Sequence, residues 1–213
     1  PELLLSCGAC QTGKIRKANR PKESSKRAKE FGDTITSDSS SRQKIATRTG
    51  KRYANVAVDE ATRWSFVKLL RKIRYTKEAA LEPLLETELK GLTKILRSDL
   101  GTEFNNTRVD KLLIRLGIKR EFACADDQHQ NGLSERPIGV LFEMVRTMLA
   151  DSKLPLSFWG ECLITANYLR NLLPTSANEY GVSPYEARYE KQPNLRGLRP
   201  FGVRCTVLKH SAQ

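Results

Sequence analysis

The chain has 213 residues and 24.1 kDa, with 37 lysines and arginines against 24 aspartates and glutamates, a formal charge of +13 and a pI near 9.7. Hydrophobic residues, at 39%, allow a real core, but no run of about 18 apolar residues exists that could span a membrane. The positive excess favours a polyanionic partner, because lysine and arginine neutralise phosphates and release counterions; the competing reading is a basic surface whose charges are simply solvated.

The opening PELLLSCGAC has no basic n-region and only a three-leucine apolar stretch, so it does not read as a secretory leader. A chain that starts on Pro1 without an initiator Met is expected to be a piece of a longer product. The five cysteines (Cys7, Cys10, Cys124, Cys162, Cys205) are odd in number and mostly scattered, unlike a secreted disulfide framework, which makes a reducing intracellular setting the expectation. Residues 14–29 hold eight basic residues against one acid, Glu23, with almost no apolar content. They read as a disordered basic arm or linker rather than part of a core.

Ordered structure is expected from residue 31. Phe31 to Asp38 can form a short strand, and Tyr53 to Val58 with Trp64 to Leu69 form an antiparallel hairpin across Asp59–Arg63. Residues 76–90 have helical composition, with Thr76 as the N-cap and Pro83 removing an interior amide, so a kink or split is expected there. Leu92 to Arg97 is a fourth strand ending just before Ser98 and Asp99. Thr107 to Leu116 is an amphipathic helix with Val109, Leu112, Leu113 and Leu116 on one face and Gly117 as its stop. Ile118 to Ala123 is a fifth strand. Ser134 to Ala150 is a helix with Ile138, Leu141, Val145 and Met148 in register. With Ser134 as N-cap, Pro137 falls at N3, where a missing N–H costs little; a helix starting earlier would put it inside. This order gives an α/β fold, a mixed five-stranded sheet flanked by helices. A further helix and a basic, irregular C-terminal extension follow Asp151. Trp64, Phe158 and Trp159 are expected to be core or interface aromatics.

Three carboxylates stand where metal-assisted phosphodiester chemistry would want them, at strand ends and on one helix: Asp38, Asp99 and Glu135. Clustered hard oxygen ligands can hold two divalent cations about 4 Å apart. Singly, each is equally well explained as a turn former or a helix cap.

Their surroundings are more specific. Arg97-Ser98-Asp99-Leu100-Gly101-Thr102-Glu103-Phe104 is similar to an RSDNGxEF stretch, and His129-Gln130-Asn131-Gly132-Leu133-Ser134-Glu135-Arg136 to a QQNGxxER stretch. Between Asp99 and Glu135 lie 35 residues. Leu154-Pro155 with Phe158-Trp159, Ser183-Pro184-Tyr185-Glu186 and Leu198-Arg199-Pro200-Phe201-Gly202 follow like LPxxFW, TPYE and LRxFG. From Cys7 to about Leu208 the chain resembles the integrase region of copia-type LTR retrotransposon polyproteins, within the retroviral-integrase superfamily.

The resemblance implies an RNase H-like catalytic core and a D,D-35-E triad of Asp38, Asp99 and Glu135 binding Mg²⁺ or Mn²⁺. It also implies 3′-end processing and strand transfer of double-stranded DNA, at the element ends and the target, by a self-associating protein acting in the nucleus. Asp33 is a rival for the first position. Asp59 matches a second-strand segment that holds no metal, and Asp126 and Asp127 read as solvated. The sequence departs from the family at Ser39-Ser40-Ser41-Arg42-Gln43, where a hydrophobic-Cys-Gly-Pro stretch is usual, and at Leu100, where Asn is usual. Cys7 and Cys10 match the second half of an HHCC zinc module. Zinc takes four ligands and only His129 and His210 exist in the chain, so this site is incomplete unless histidines lie upstream. A redox CxxC is the other reading of the pair.

Lys14, Arg16, Lys17, Arg20, Lys26, Arg27, Asn131 and Arg136 are the candidate nucleic-acid contacts, with Arg188, Lys191, Arg196, Arg199, Arg204 and Lys209 holding phosphates without reading sequence. His129 could reach metal or DNA, or simply meet solvent. The expected organisation is residues 1–27 as a partial zinc module and linker, 28–152 as the catalytic core, and 153–213 as a C-terminal helix and basic extension. Two alternatives remain: a degenerate copy that binds DNA without chemistry, and a nuclease or transposase of the same fold that cleaves without joining.

Overall fold

A computed structural model describes residues 28–122 and 128–206, the side chains of residues 128–135 excepted. Five strands, β1 (Thr34–Ser39), β2 (Tyr53–Asp59), β3 (Ser65–Leu70), β4 (Ile95–Ser98) and β5 (Lys119–Phe122), form one sheet in the order β3-β2-β1-β4-β5. The first three pair antiparallel and β1, β4 and β5 pair parallel, so the sheet is mixed as expected. Among the described residues four α-helices accompany it: α1 (Thr107–Leu116), α2 (Gln128–Ser152), α3 (Trp159–Leu172) and α4 (Pro184–Tyr189).

The pleat divides the apolar residues between two faces. On one, Ile35, Ala57 and Leu96 pack against Leu81, Leu84, Leu85 and Leu89, against Phe104, and against Val109, Leu112 and Leu113 of α1. On the other, Ala54, Val56 and Val58 pack against Leu141, Val145 and Leu149 of α2 and Trp159, Cys162, Leu163 and Ala166 of α3. Helices therefore cover both sides of the strands, a three-layer arrangement.

Local chemistry explains several element ends. The Asn106 side chain caps α1, accepting from the N–H groups of Arg108 and Val109, both at 3.1 Å, and Gly117 closes it at φ 67°. The expected capping by Thr76 does not occur. Its backbone is already helical and its hydroxyl donates to the Ile73 carbonyl at 2.6 Å. Pro83 splits its segment into two pieces, as expected, without ending the helical path. The chain passes through it at φ −62°, between two wide-turned pieces, Lys77–Leu81 and Leu84–Glu88, whose i→i+5 spacing absorbs the missing donor.

The long helix departs further from expectation. It begins at Gln128 rather than at Ser134, so Pro137 lies inside it. Packing of Leu141, Val145 and Leu149 against β2 sustains a helix whose first turns run across a residue that cannot donate to the carbonyl four positions earlier.

Candidate active site

The register of the two central parallel strands brings the first two candidate carboxylates together. Thr34 lies beside Ile95, Ile35 beside Leu96 and Thr36 beside Arg97. Carried two residues further, that offset sets Asp38 level with Asp99. Asp38 also lies opposite Val56, whose side chain is packed against α2 and α3, so Asp38 shares the face that those helices cover. Glu135 sits on α2. The fold thus sets Asp38 and Asp99 together at one sheet end, on the side of the sheet that α2, the helix containing Glu135, covers. Glu135's side chain, like those of His129 and Asn131, lies outside the described residues. Among the described residues no group of three metal-ligating side chains stands together.

The altered stretch after Asp38 does not unravel β1. The strand continues through Ser39, opposite Asn55, and the Ser40 N–H donates to the Ala54 carbonyl at 2.7 Å. Asn55, 2% exposed, closes this end from within: its Nδ2 donates to Ser37 Oγ at 3.0 Å, the Asp38 carbonyl at 3.1 Å and Ser39 Oγ at 3.3 Å. Sequence reading missed Asn55, and its one signal was a strongly polar residue within an otherwise apolar strand.

Asp99 follows β4 directly, and its Oδ1 accepts the Gly101 N–H at 3.0 Å, a short turn that holds the carboxylate beside the backbone. Leu100, in the place where Asn is usual, is 56% exposed. Glu103 is the other residue that sequence reading passed over. Its Oε2 and the Asp99 Oδ1 lie 2.7 and 2.9 Å from where a Cβ on Gly101 would stand, so two carboxylates crowd one glycine. Burial pushes the Glu103 carboxyl above the ordinary carboxylate range, and the Asp99 charge pushes the same way.

Asp59, which the resemblance leaves without a metal role, and the rival Asp33 are both used elsewhere. Asp59 is fully buried, with Oδ1 accepting the Gly32 N–H at 2.8 Å and Oδ2 accepting the Thr62 N–H and hydroxyl at 2.7 and 2.6 Å. Asp33 pairs with Lys94 at 2.7 Å, at the sheet end where β1 and β4 begin. Arg97 bridges Glu60 at 3.0 Å and Glu121 at 2.9 Å, tying the end of β2 to β5 across β4.

Of the candidate nucleic-acid contacts, Arg136 is exposed on α2. Lys14, Arg16, Lys17, Arg20, Lys26, Arg27 and Lys209, together with Cys7 and Cys10, lie outside the described residues. Arg188 differs from the expectation for it: its guanidinium lies over the rings of Phe31 (4.2 Å), Trp64 (4.6 Å) and Tyr189 (4.9 Å). Trp64 packs in turn on Phe66, Tyr185 and Tyr189. Trp159 is buried, stacks on Phe142 and donates from Nε1 to the Ile45 carbonyl at 2.9 Å.

The chain is 30% identical over 205 residues, 93% of its length, to a retrovirus-related Pol polyprotein from transposon TNT 1-94 of Nicotiana tabacum. It belongs with the integrase region of such polyproteins. The chain spans 15% of the length of that relative. In fold it is similar to a chain of a simian T-cell lymphotropic virus intasome, with TM-score 0.69 and 15% identity over 99% of this chain and 71% of that one. It is also similar to the HTLV-2 integrase catalytic core domain solved in complex with magnesium in a trimeric form, with TM-score 0.56 and 19% identity over 74% of this chain and 97% of that one. No family model matches the chain.

Proposed function

We propose that this integrase region is a polynucleotidyl transferase, which trims the 3′ ends of retrotransposon DNA of the copia type and joins them to target DNA in the nucleus. The observation that carries the reading is the register that sets Asp38 level with Asp99 on the α2 side of the sheet, where Glu135 also resides. These residues fit a hard divalent cation. All three are carboxylates, two are fixed on adjacent strand ends, and the carboxylates of the rival Asp33 and of nearby Asp59 are already committed. A bound Mg²⁺ or Mn²⁺ would supply Lewis-acid stabilisation of the phosphate and a more acidic water. The chain's own part is positioning: Asn55 holds the β1 end and the Gly101 N–H holds the Asp99 carboxylate, so neither group needs to be ordered when substrate arrives.

The test is a labelled DNA duplex with Mn²⁺, comparing the chain with Asp99→Asn on a denaturing gel. Shortened and lengthened strands that vanish in Asp99→Asn are expected. Shortened strands alone would indicate a nuclease. A second reading, a degenerate copy that only binds DNA, draws on two observations: Pro137 inside the helix that presents Glu135, and Leu100 beside Asp99. Equal DNA binding with EDTA or Mn²⁺ and no cleavage would decide for it.

A further inference from the structure

The sequence from Ser39 to Val58 contains five basic residues and no acid, and the sequence from Ala61 to Lys77 contains six basic residues and no acid. The fold brings the exposed parts of both runs to one place. The first is the connection from β1 to β2, which leaves the strand that carries Asp38; the second is the chain leaving β3. They meet where the Arg52 N–H donates to the Leu70 carbonyl at 2.9 Å and where Arg71 Nε stands 4.0 Å from the Cβ position of Gly50.

The β1–β2 connection is also built to hold its shape. The Arg52 guanidinium donates to the Lys44 carbonyl at 2.7 Å, the Thr47 N–H to the Lys51 carbonyl at 2.8 Å, and Trp159 Nε1 fastens Ile45 to α3. Arg48 lies over the Phe158 ring at 4.9 Å and Arg74 over the Tyr75 ring at 5.3 Å, which holds each guanidinium by its face and leaves N–H edges for an acceptor.

We propose that Arg42, Lys44 and Arg48 on one segment, with Arg71, Lys72 and Arg74 on the other, form a phosphate-binding shelf for the backbone of duplex DNA beside Asp38. All six are exposed, and none has a carboxylate partner among the described residues. An exposed cation cluster with no internal counter-charge is strongly favoured to exchange its counterions for phosphates. Asp38 lies opposite Val56, four residues along β2 from Arg52. At the rise of a strand that is about 13 Å, roughly four base-pair steps along the axis of a duplex. The shelf can therefore grip a duplex whose scissile bond lies at the carboxylates. It rests on the reading that this chain handles DNA, and none of its six residues belongs to the basic N-terminal or C-terminal runs of the sequence.

The test is fluorescence anisotropy of the full chain on a 30-base-pair DNA duplex in EDTA over a KCl series. Two shelf variants, Arg42→Ala/Lys44→Ala/Arg48→Ala and Arg71→Ala/Lys72→Ala/Arg74→Ala, are compared with Lys90→Ala/Lys94→Ala/Lys119→Ala. The last removes the same charge from the region of the sheet end where β4 and β5 begin. Each shelf triple is expected to weaken binding roughly tenfold or more and to lower the log–log salt slope by about 2–3, at about 0.9 per phosphate lost, while the control stays within about twofold. Equal losses in all three would reduce the shelf to net charge and overturn it, as would unchanged slopes in the shelf variants. A matched RNA duplex is a further arm: loss of RNA binding with DNA binding retained would overturn the assignment to DNA. Absence of DNA binding by the unmodified chain would overturn the shelf together with the DNA reading. Because EDTA excludes chemistry, a chain that fails to cleave can still show the shelf, and a cleaving chain can still lack it.

Discussion

Asp59 is the sharpest place to test which aspartate does what. Its carboxylate is fully buried and takes three donors, Gly32 N–H, Thr62 N–H and Thr62 Oγ–H. Asp59→Ala strands two buried amides, while the hydroxyl can turn to another acceptor. At about 1–3 kcal/mol per stranded donor, with a small cavity added, the variant should lose roughly 3–5 kcal/mol. That is a large share of the about 5–15 kcal/mol that holds a domain together. Asp59→Asn keeps one acceptor oxygen but turns an NH₂ toward donors on the other side, and should lose roughly 1–3 kcal/mol. Urea unfolding followed by far-UV circular dichroism gives both values, and Mn²⁺ binding is measured on the same samples. A carboxylate that clamps the entry to β1 lowers the midpoint in both variants and leaves metal affinity of the folded fraction unchanged. The opposite result, wild-type unfolding with Mn²⁺ affinity lost in Asp59→Asn, would make Asp59 a ligand and refute the assignment of Asp38.

Three further outcomes follow from the same geometry. Gly101→Ala should cost less than about 1 kcal/mol, because the atoms its Cβ meets are the movable ends of Glu103 and Asp99, yet it should abolish DNA cleavage by displacing the Asp99 carboxylate. A thermal melt beside a cleavage assay separates the two effects. Arg188→Ala should lower stability by about 1–2 kcal/mol through lost cation–π contacts and leave the salt slope of DNA binding unchanged, which anisotropy over a KCl series would check. The Arg97 guanidinium, and after it Lys119, holds the Glu121 carboxyl below its usual range. A depressed carboxylate contributes stability above its unfolded pKa of about 4.3 and loses it as pH falls through the folded value. Glu121→Gln should therefore melt earlier than wild type at pH 7, with the difference closing toward pH 3.

Much of the framework was legible in residues near one another. The β2–β3 hairpin shows in its β-rich runs, and α1 shows in the spacing of Val109, Leu112 and Leu113 with Gly117 behind them. The pairing of β1 with β4 was not legible. Nothing in TITSDS or ILRS specifies which residue faces which; the register emerges only when Ile35 and Leu96 are buried side by side in the same helix-covered layer. Asp38 and Asp99 could therefore be named from resemblance before any local physics could place them level. The start of α2 was misread for a definable reason. Ser134 followed by Pro137 is a good local N-terminus, and local preference yielded to a helix anchored by three buried residues more than one turn further on.

The two sites differ in what a mutation can reach. The carboxylate end is fixed from behind by buried polar groups, Asn55 under β1 and Asp59 under the turn into it, so changes there act through stability as well as chemistry. The basic shelf is fixed by backbone bonds and by ring faces, and its six charges reach solvent, so they can be removed without touching the core. A copy of the element still selected to fold but no longer to integrate would lose these two features at different rates. Exposed lysines and arginines drift with little structural penalty, whereas Asn55 and Asp59 are retained for folding even after catalysis is lost. An intact shelf beside an inactive triad, or the reverse, would thus be read directly from the paired binding and cleavage assays, and the first of those patterns would argue that DNA binding itself is what this chain still does.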